Sequence, residues 1–161
     1  MSWSRRAILT LPAVLAACSF SPVYGPGGTG SKLQNKLRTA DPKTPDDFAF
    51  AGRIAERLGP DQAAIYELDW QLRVAVVAQA ITPDEVTTRY SLNGTASYVL
   101  TDMASQRAIT RGQVSSFTSY STTGTTIATM AAEQDAHQRL ARLLADEVVT
   151  RLLALDPAQF G

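Results

Sequence analysis

From Ala64 to Ala80 the even positions read Ala64, Tyr66, Leu68, Trp70, Leu72, Val74, Val76, Ala78 and Ala80, while the odd positions include Glu67, Asp69, Gln71, Arg73 and Gln79. Successive side chains leave a strand on opposite sides, so alternation held over seventeen residues defines a strand with one buried face. At about 3.3 Å per residue it would span ~55 Å, against a usual strand of roughly five or six residues, so a bend or bulge is expected along it. Whatever the chain folds into is built around this strand.

Thr82-Pro83-Asp84-Glu85 turns the chain, and a second alternation puts Val86, Tyr90, Leu92, Ala96, Tyr98 and Leu100 on one face. Asp102 to Gln106 forms another loop. In the third strand Ala108, Gly112, Val114 and Tyr120 share one parity, while Ile109 and Phe117 take the other. Ser115-Ser116 is the expected place for a bulge that changes the face. Short links between successive strands predict an antiparallel meander. Gly124 ends the sheet, and a helix follows from about Thr126 to Leu155, stopped by Asp156-Pro157. Its apolar stripe is Leu140, Leu144, Val148, Leu152 and Leu155, and Asp135/Arg139 and Glu147/Arg151 are i, i+4 pairs in the favourable order.

Upstream, Thr44-Pro45-Asp46-Asp47 opens a helix, with Thr as N-cap, Pro in the first turn and acids at the positive dipole end. The expected stripe is Phe48, Ala51, Ile54, Ala55 and Leu58, with Phe50 off it, and Gly59-Pro60 ends the helix. Lys32 to Thr39 alternates loosely and reads as a short first strand. The predicted fold is α+β: a four-stranded, mostly antiparallel sheet with two helices packed on one face, in the order β-α-β-β-β-α.

The N-terminus carries an address. Arg5 and Arg6 precede the eleven-residue apolar run Ala7 to Ala17, the pattern of a secretory signal peptide. Eleven helical residues span about 16 Å, short of the ~30 Å hydrocarbon layer. Leu15-Ala16-Ala17-Cys18 resembles the bacterial lipobox, which implies cleavage before Cys18, an S-diacylglycerol on its thiol and an N-acyl group on its new amine. Ser19 after the Cys implies, by analogy with lipoprotein sorting, transit to the outer membrane. Ser4-Arg5-Arg6-Ala7-Ile8-Leu9 also resembles a twin-arginine export signal. The chain thus divides into a signal peptide (residues 1–17), the acylated Cys with a Gly/Pro/Ser-rich flexible tether (18–31), one α+β domain (32–156) and a C-terminal tail (157–161).

Charge and composition narrow the function. Removing residues 1–17 leaves 144 residues with 13 basic and 15 acidic side chains, so no broad basic field favours nucleic acid. One Cys and one His cannot build a four-ligand zinc site, and no G-x-S-x-G, H-E-x-x-H or Walker sequence occurs. His137 reads as structural, and Ser115, Ser116, Ser119 and Ser121 as strand hydroxyls without a placed base. No catalytic residue, metal or cofactor is expected beyond the lipid on Cys18.

The solvent side of the second strand presents Thr87, Ser91, Asn93, Thr95, Ser97 and Thr101, small neutral groups where a freely solvated sheet more often carries Lys and Glu. Such a face suits packing against another polar wall; the β-propensity of Thr is the competing explanation. Between Val86 and Ser121 the charges are Arg89, Arg107 and Arg111 against Asp102. Forked guanidinium donors match phosphate, so these three are the candidate contacts for an anionic lipid headgroup, Arg89 first.

Cys18-Ser19-Phe20-Ser21-Pro22-Val23-Tyr24-Gly25, Tyr66-x-Leu68, Ala96-x-Tyr98-x-Leu100, Gly112 through Tyr120-Ser121, and the helix from Asp135-Ala136 to Leu152 occur in an order that resembles the LPS-assembly lipoprotein family LptE in its alphaproteobacterial form. The resemblance implies a lipoprotein, anchored at the periplasmic side of the outer membrane, that plugs the LptD β-barrel, helps it assemble and binds lipopolysaccharide on its way to the outer leaflet. Asp41 to Asp47 and the short first helix depart from the family pattern. A lipoprotein adaptor of another envelope transport complex remains the alternative, and an anchored periplasmic enzyme the third reading.

Overall fold

The computed structural model describes residues 22–81, 87–122 and 124–160. In chain order it contains helix α1 (Thr29–Leu33), strand β1 (Leu37–Thr39), helix α2 (Pro45–Leu58), strands β2 (Tyr66–Ile81), β3 (Thr87–Asp102) and β4 (Ala108–Ser121), helix α3 (Thr126–Leu153) and a 3-10 turn at Pro157–Gln159. The sheet order is β1-β2-β3-β4, with β1 parallel to β2 and the other neighbours antiparallel. The α+β layout and element order expected from the sequence are those observed, with α1 in addition.

The period-two pattern becomes a core through its register. Leu68 pairs with Leu100, Trp70 with Tyr98 and Leu72 with Ala96, and Ala96 in turn with Val114. All point to one side, where Leu68, Ala96, Leu100 and Val114 are buried with Ala136, Leu140, Leu144, Val148 and Leu152 of α3. Gly94 lets α3 approach this closely: a Cβ there would lie 2.9 Å from Leu140 Cδ2 and 3.0 Å from Leu144 Cδ1. The apolar face of β2 runs on beyond its cover, leaving Val76 52% exposed. The expected irregularity lies near the far end of β2, at Ala78/Ala80 and Ala80/Ile81.

In β4 the pairing runs without interruption past Ser115-Ser116, and the register shift sits instead where Leu100 faces Thr110 and Thr101 faces Ala108. Ile109 is the residue set out of step, and it packs against the core. Thr118 is buried on the inner face, its hydroxyl donating to the Ala136 carbonyl at 3.0 Å, and Phe117 stands on the open face. A single early bulge, not a change of face at mid-strand, therefore explains the mixed parity.

Helix α2 starts where Thr44 caps it: the Thr44 hydroxyl accepts from Asp47 N at 3.2 Å and Asp47 Oδ2 accepts from Thr44 N at 3.0 Å. Its buried stripe is Phe50, Ile54 and Leu58, while Phe48 is 63% exposed, so the phase expected from the sequence is corrected by about half a turn at its first residue. Phe50 meets Trp70 of β2 at 5.2 Å between ring centroids, a contact that propensity along the helix does not reveal. Asp146 of α3 accepts from Arg53 Nε at 3.0 Å and from Arg57 Nη1, and His137 Nδ1 lies 2.9 Å from Asp46 Oδ2, so three polar links join α2 to α3.

The described part of the expected tether, residues 22–31, is folded onto the body. Gly30 N donates to Val23 O at 2.9 Å, and Thr29 Oγ1 donates to the Leu155 carbonyl at 2.7 Å. Lys32 Nζ donates to the carbonyls of Pro157 (3.0 Å) and Phe160 (2.7 Å). Lys32 therefore closes a helix, and only Leu37–Thr39 of the expected first strand is extended. Within the expected tail, Phe160 is buried edge-on against Tyr66, 5.4 Å between centroids. The Gly-Pro stretch makes turns that let Thr29 and Lys32 reach the segment from Leu155 to Phe160; Gly27 takes φ 79°.

Candidate functional site

With the helices on one side of the sheet, the odd residues of β2 and β3 look out from the other. The register assembles them into rows: Gln71–Ser97–Gln113, Arg73–Thr95–Ser115 and Ala75–Asn93–Phe117. The first two rows hold neutral amides and hydroxyls around one guanidinium; the third adds an exposed aromatic ring. Nearer the start of β2, Asp69 and Arg111 flank Val99 in a single row. Two shallow hollows follow these rows, one lined by Asp69, Gln71, Ser97, Arg111 and Gln113, the other by Arg73, Asn93, Thr95, Ser115 and Phe117.

Of the neutral groups expected on this face, Asn93 and Ser97 are exposed and Thr95 and Thr101 half-buried. Ser91 is buried, its hydroxyl 3.4 Å from both the Thr118 carbonyl and Asn93 Oδ1, so it is spent inside the sheet. The side chain of Thr87 lies outside the description, as do Cys18 and the whole of the expected signal peptide. Gln71, Arg73 and Gln113, which the strand-by-strand reading did not assign to a common surface, are its central members. Their odd parity was visible in the sequence; their neighbours across the sheet were not.

The three candidate arginines are not brought together. Arg89 pairs with Ser121 and Val99 with Arg111, ten register positions apart on β3, or about 34 Å at 3.4 Å per residue. Arg107 sits in the β3–β4 turn beside the C-terminus, its Nη2 donating to the Gln159 carbonyl at 3.1 Å. Arg89 and Arg111 are exposed. Arg73, near the middle of the face, reaches Gln71 Oε1 at 3.3 Å.

No hydroxyl or thiol among the described residues hydrogen-bonds the ring of His137, whose partner Asp46 links two helices. Among the described residues no cluster of His, Cys, Asp and Glu could hold a metal ion, and no helix is long and apolar enough to cross a membrane.

The fold defines an α+β domain with its helices on one side of a four-stranded sheet and an open face on the other. Residues 26–152 match the model of the lipopolysaccharide-assembly family LptE, and the chain belongs to that family. Among solved structures it is similar to a lipoprotein from Caulobacter crescentus (18% identity, TM-score 0.64, covering 78% of this chain and 92% of that one). It is also similar to rare lipoprotein B from Shewanella oneidensis (11% identity, TM-score 0.55, covering 73% and 91%). At these identities the likeness establishes the shared fold. No curated protein sequence matches the chain.

Proposed function

We propose that this protein is an outer-membrane lipoprotein, anchored through N-acyl and S-diacylglycerol groups on Cys18, that plugs an LptD-type β-barrel, helps it assemble and binds lipopolysaccharide passing to the outer leaflet. The observation that carries the reading is the helix-free face with its rows Gln71–Ser97–Gln113 and Arg73–Thr95–Ser115. A large barrel's interior is polar, and a plug must meet it with groups that exchange hydrogen bonds without isolating charges. Amides and hydroxyls do so. Family membership supports the same reading from the whole domain. No catalytic step is assigned, and no cofactor other than the lipid on Cys18.

For lipopolysaccharide phosphates the candidates are Arg89, Arg107 and Arg111. The ~34 Å between Arg89 and Arg111 means that those two would meet different headgroups, or different stages of one passage. Arg111 has the more developed setting, a hollow shared with Gln71, Ser97 and Gln113.

Photo-crosslinkers placed at Thr95 and at Arg89 in native outer membranes test the reading. The expected product is a single large β-barrel, recovered together with lipopolysaccharide. Crosslinks to an inner-membrane transporter instead would overturn it and make the protein an adaptor of another envelope complex.

A further inference from the structure

Arg139, Arg142 and Asp146 recur along α3 at i, i+3 and i+7, so they share one face of the helix. Leu140, Leu144 and Val148 turn into the core, which leaves that face looking away from the sheet. Helix α2 lies beside it and sends two guanidiniums across: Arg53 Nε donates to Asp146 at 3.0 Å, and Arg57 Nη1 donates to the same carboxylate. Arg53, Arg139, Arg142, Leu143 and Asp146, with Thr118 of β4, line a hollow of about 350 Å³. None of them lines the two hollows of the open face.

The charges in this hollow do not cancel. Its one carboxylate, Asp146, already accepts from two guanidiniums. Arg53 Nη1 also donates to Glu56 Oε2 at 2.9 Å, and Arg139 donates through Nε to Asp135 Oδ2 at 2.8 Å, with Nη2 3.4 Å from the Ser119 carbonyl. Arg142 has no hydrogen-bond or ion-pair partner among the described residues. A guanidinium carries five N–H donors, so Arg53 and Arg139 keep donors beyond these bonds and Arg142 keeps all of its own. An ordinary surface network pairs each cation and closes over it. Here three guanidiniums from two helices converge on open space with one of them unmatched. Forked donors fit phosphate oxygens, and a phosphate has enough of them to accept from all three. Leu143, 42% exposed beside them, offers an apolar contact to whatever carries the phosphate.

We propose that this hollow binds a phosphate group, held by Arg139 and Arg142 with Arg53 as the third donor. Two sources share that chemistry, a headgroup phosphate of lipopolysaccharide and free inorganic phosphate. The first deepens the lipid-binding reading above and rests on it; the second does not. The site lies on the helix side of the molecule, opposite the neutral sheet rows. With those rows against a barrel wall, the helix side is the one turned to the lumen, where a lipid in passage meets it.

The full chain in mild detergent provides the test, titrated calorimetrically with lipopolysaccharide, with the same lipid stripped of its phosphates, and with inorganic phosphate. Arg142→Gln combined with Arg139→Gln leaves the Arg53–Asp146 and Arg57–Asp146 links intact, and the exposed Arg139–Asp135 pair contributes little. The melting temperature and the barrel crosslinks at Thr95 should therefore stay as in wild type. Loss of two charge-assisted contacts should weaken binding of the phosphorylated probe by about tenfold or more. Arg142→Lys, which keeps the charge without the fork, should fall between. With the stripped lipid, wild type and double variant should bind alike. If lipopolysaccharide alone shows this dependence, the headgroup is the source; if inorganic phosphate shows it too, or alone, free phosphate is. A probe bound equally by wild type and double variant in both phosphorylated forms, or bound by neither, overturns the proposal. If lipopolysaccharide binding is lost instead in Arg89→Gln/Arg111→Gln, the hollow fails and the lipid-binding reading stands. A wild type that binds inorganic phosphate through Arg142 but no lipopolysaccharide has the opposite meaning.

Discussion

Asp47 shows how one side chain sets where a helix begins. Its Oδ2 accepts from the backbone N–H of Lys43 (3.1 Å) and Thr44 (3.0 Å). Partial burial pushes the carboxyl up, but those two bonds, with the Thr44 hydroxyl and the Trp70 indole, outweigh it and hold the carboxyl below its ordinary 3.8. A carboxyl depressed in the folded state stabilises above its ordinary value and loses that contribution as the pH falls through the lowered one. Asp47→Asn should therefore lower the melting temperature at neutral pH, with the gap to wild type closing below pH 3.8 in melts followed by circular dichroism. Two glycines give a second residue-scale test. Gly94→Ala should cost about 1–3 kcal/mol by forcing Leu140 and Leu144 from the sheet. Gly52, exposed within α2 and with nothing within 4 Å of an added Cβ, should instead gain roughly 0.5–1 kcal/mol as Ala. Urea titrations that found both changes alike would contradict the close packing of α3 on Gly94.

At the scale of elements, α2 separates what pattern can say from what packing decides. Phe48, Ala51 and Ala55 make an acceptable helical stripe with Ile54 and Leu58, and so does Phe50 with the same two residues. Only the position of Trp70 across the gap selects Phe50. Phe50→Ala should cost about 3–5 kcal/mol and Phe48→Ala within about 0.5 kcal/mol, since one ring is fully buried and the other mostly solvated. Chemical denaturation of the two variants checks this, and equal losses would restore the phase expected from the sequence. The sheet was legible because period two admits a single interpretation over the length of β2. The folding of residues 22–31 and the burial of Phe160 were not, because both depend on contacts between segments more than a hundred residues apart, such as Lys32 to Pro157 and Phe160. The open face was half legible: parity put Thr95 and Ser97 outward, but their grouping with Gln71, Arg73 and Gln113 needed the register. The same gap explains why Arg89 and Arg111, which counting along the sequence treats as one set, lie at opposite ends.

The whole molecule has two unlike ends, and their separation constrains any docking. At one end the segment after Pro22, the turn at Ser105 and the C-terminal Phe160 come together around Tyr66, tied by Arg107 to Gln159 and by Lys32 to the last carbonyls. At the other end lie Arg89, Ser121 and the start of α3. Strands of 14–16 residues hold these ends about 50 Å apart. Under the plug reading Cys18 is lipidated four residues before Pro22, which keeps the first end within about 14 Å of the periplasmic leaflet. The apolar band of an outer-membrane barrel is only about 25 Å tall. A domain longer than that band and held at one end must then carry Arg89 toward the extracellular half of the barrel while Arg111 stays in the periplasmic half. Photo-crosslinks from the two positions, mapped on the barrel by mass spectrometry, should fall in those separate halves. If both fell in one half, the sheet would lie across the lumen instead of along it, and the neutral rows would face something other than the length of the barrel wall.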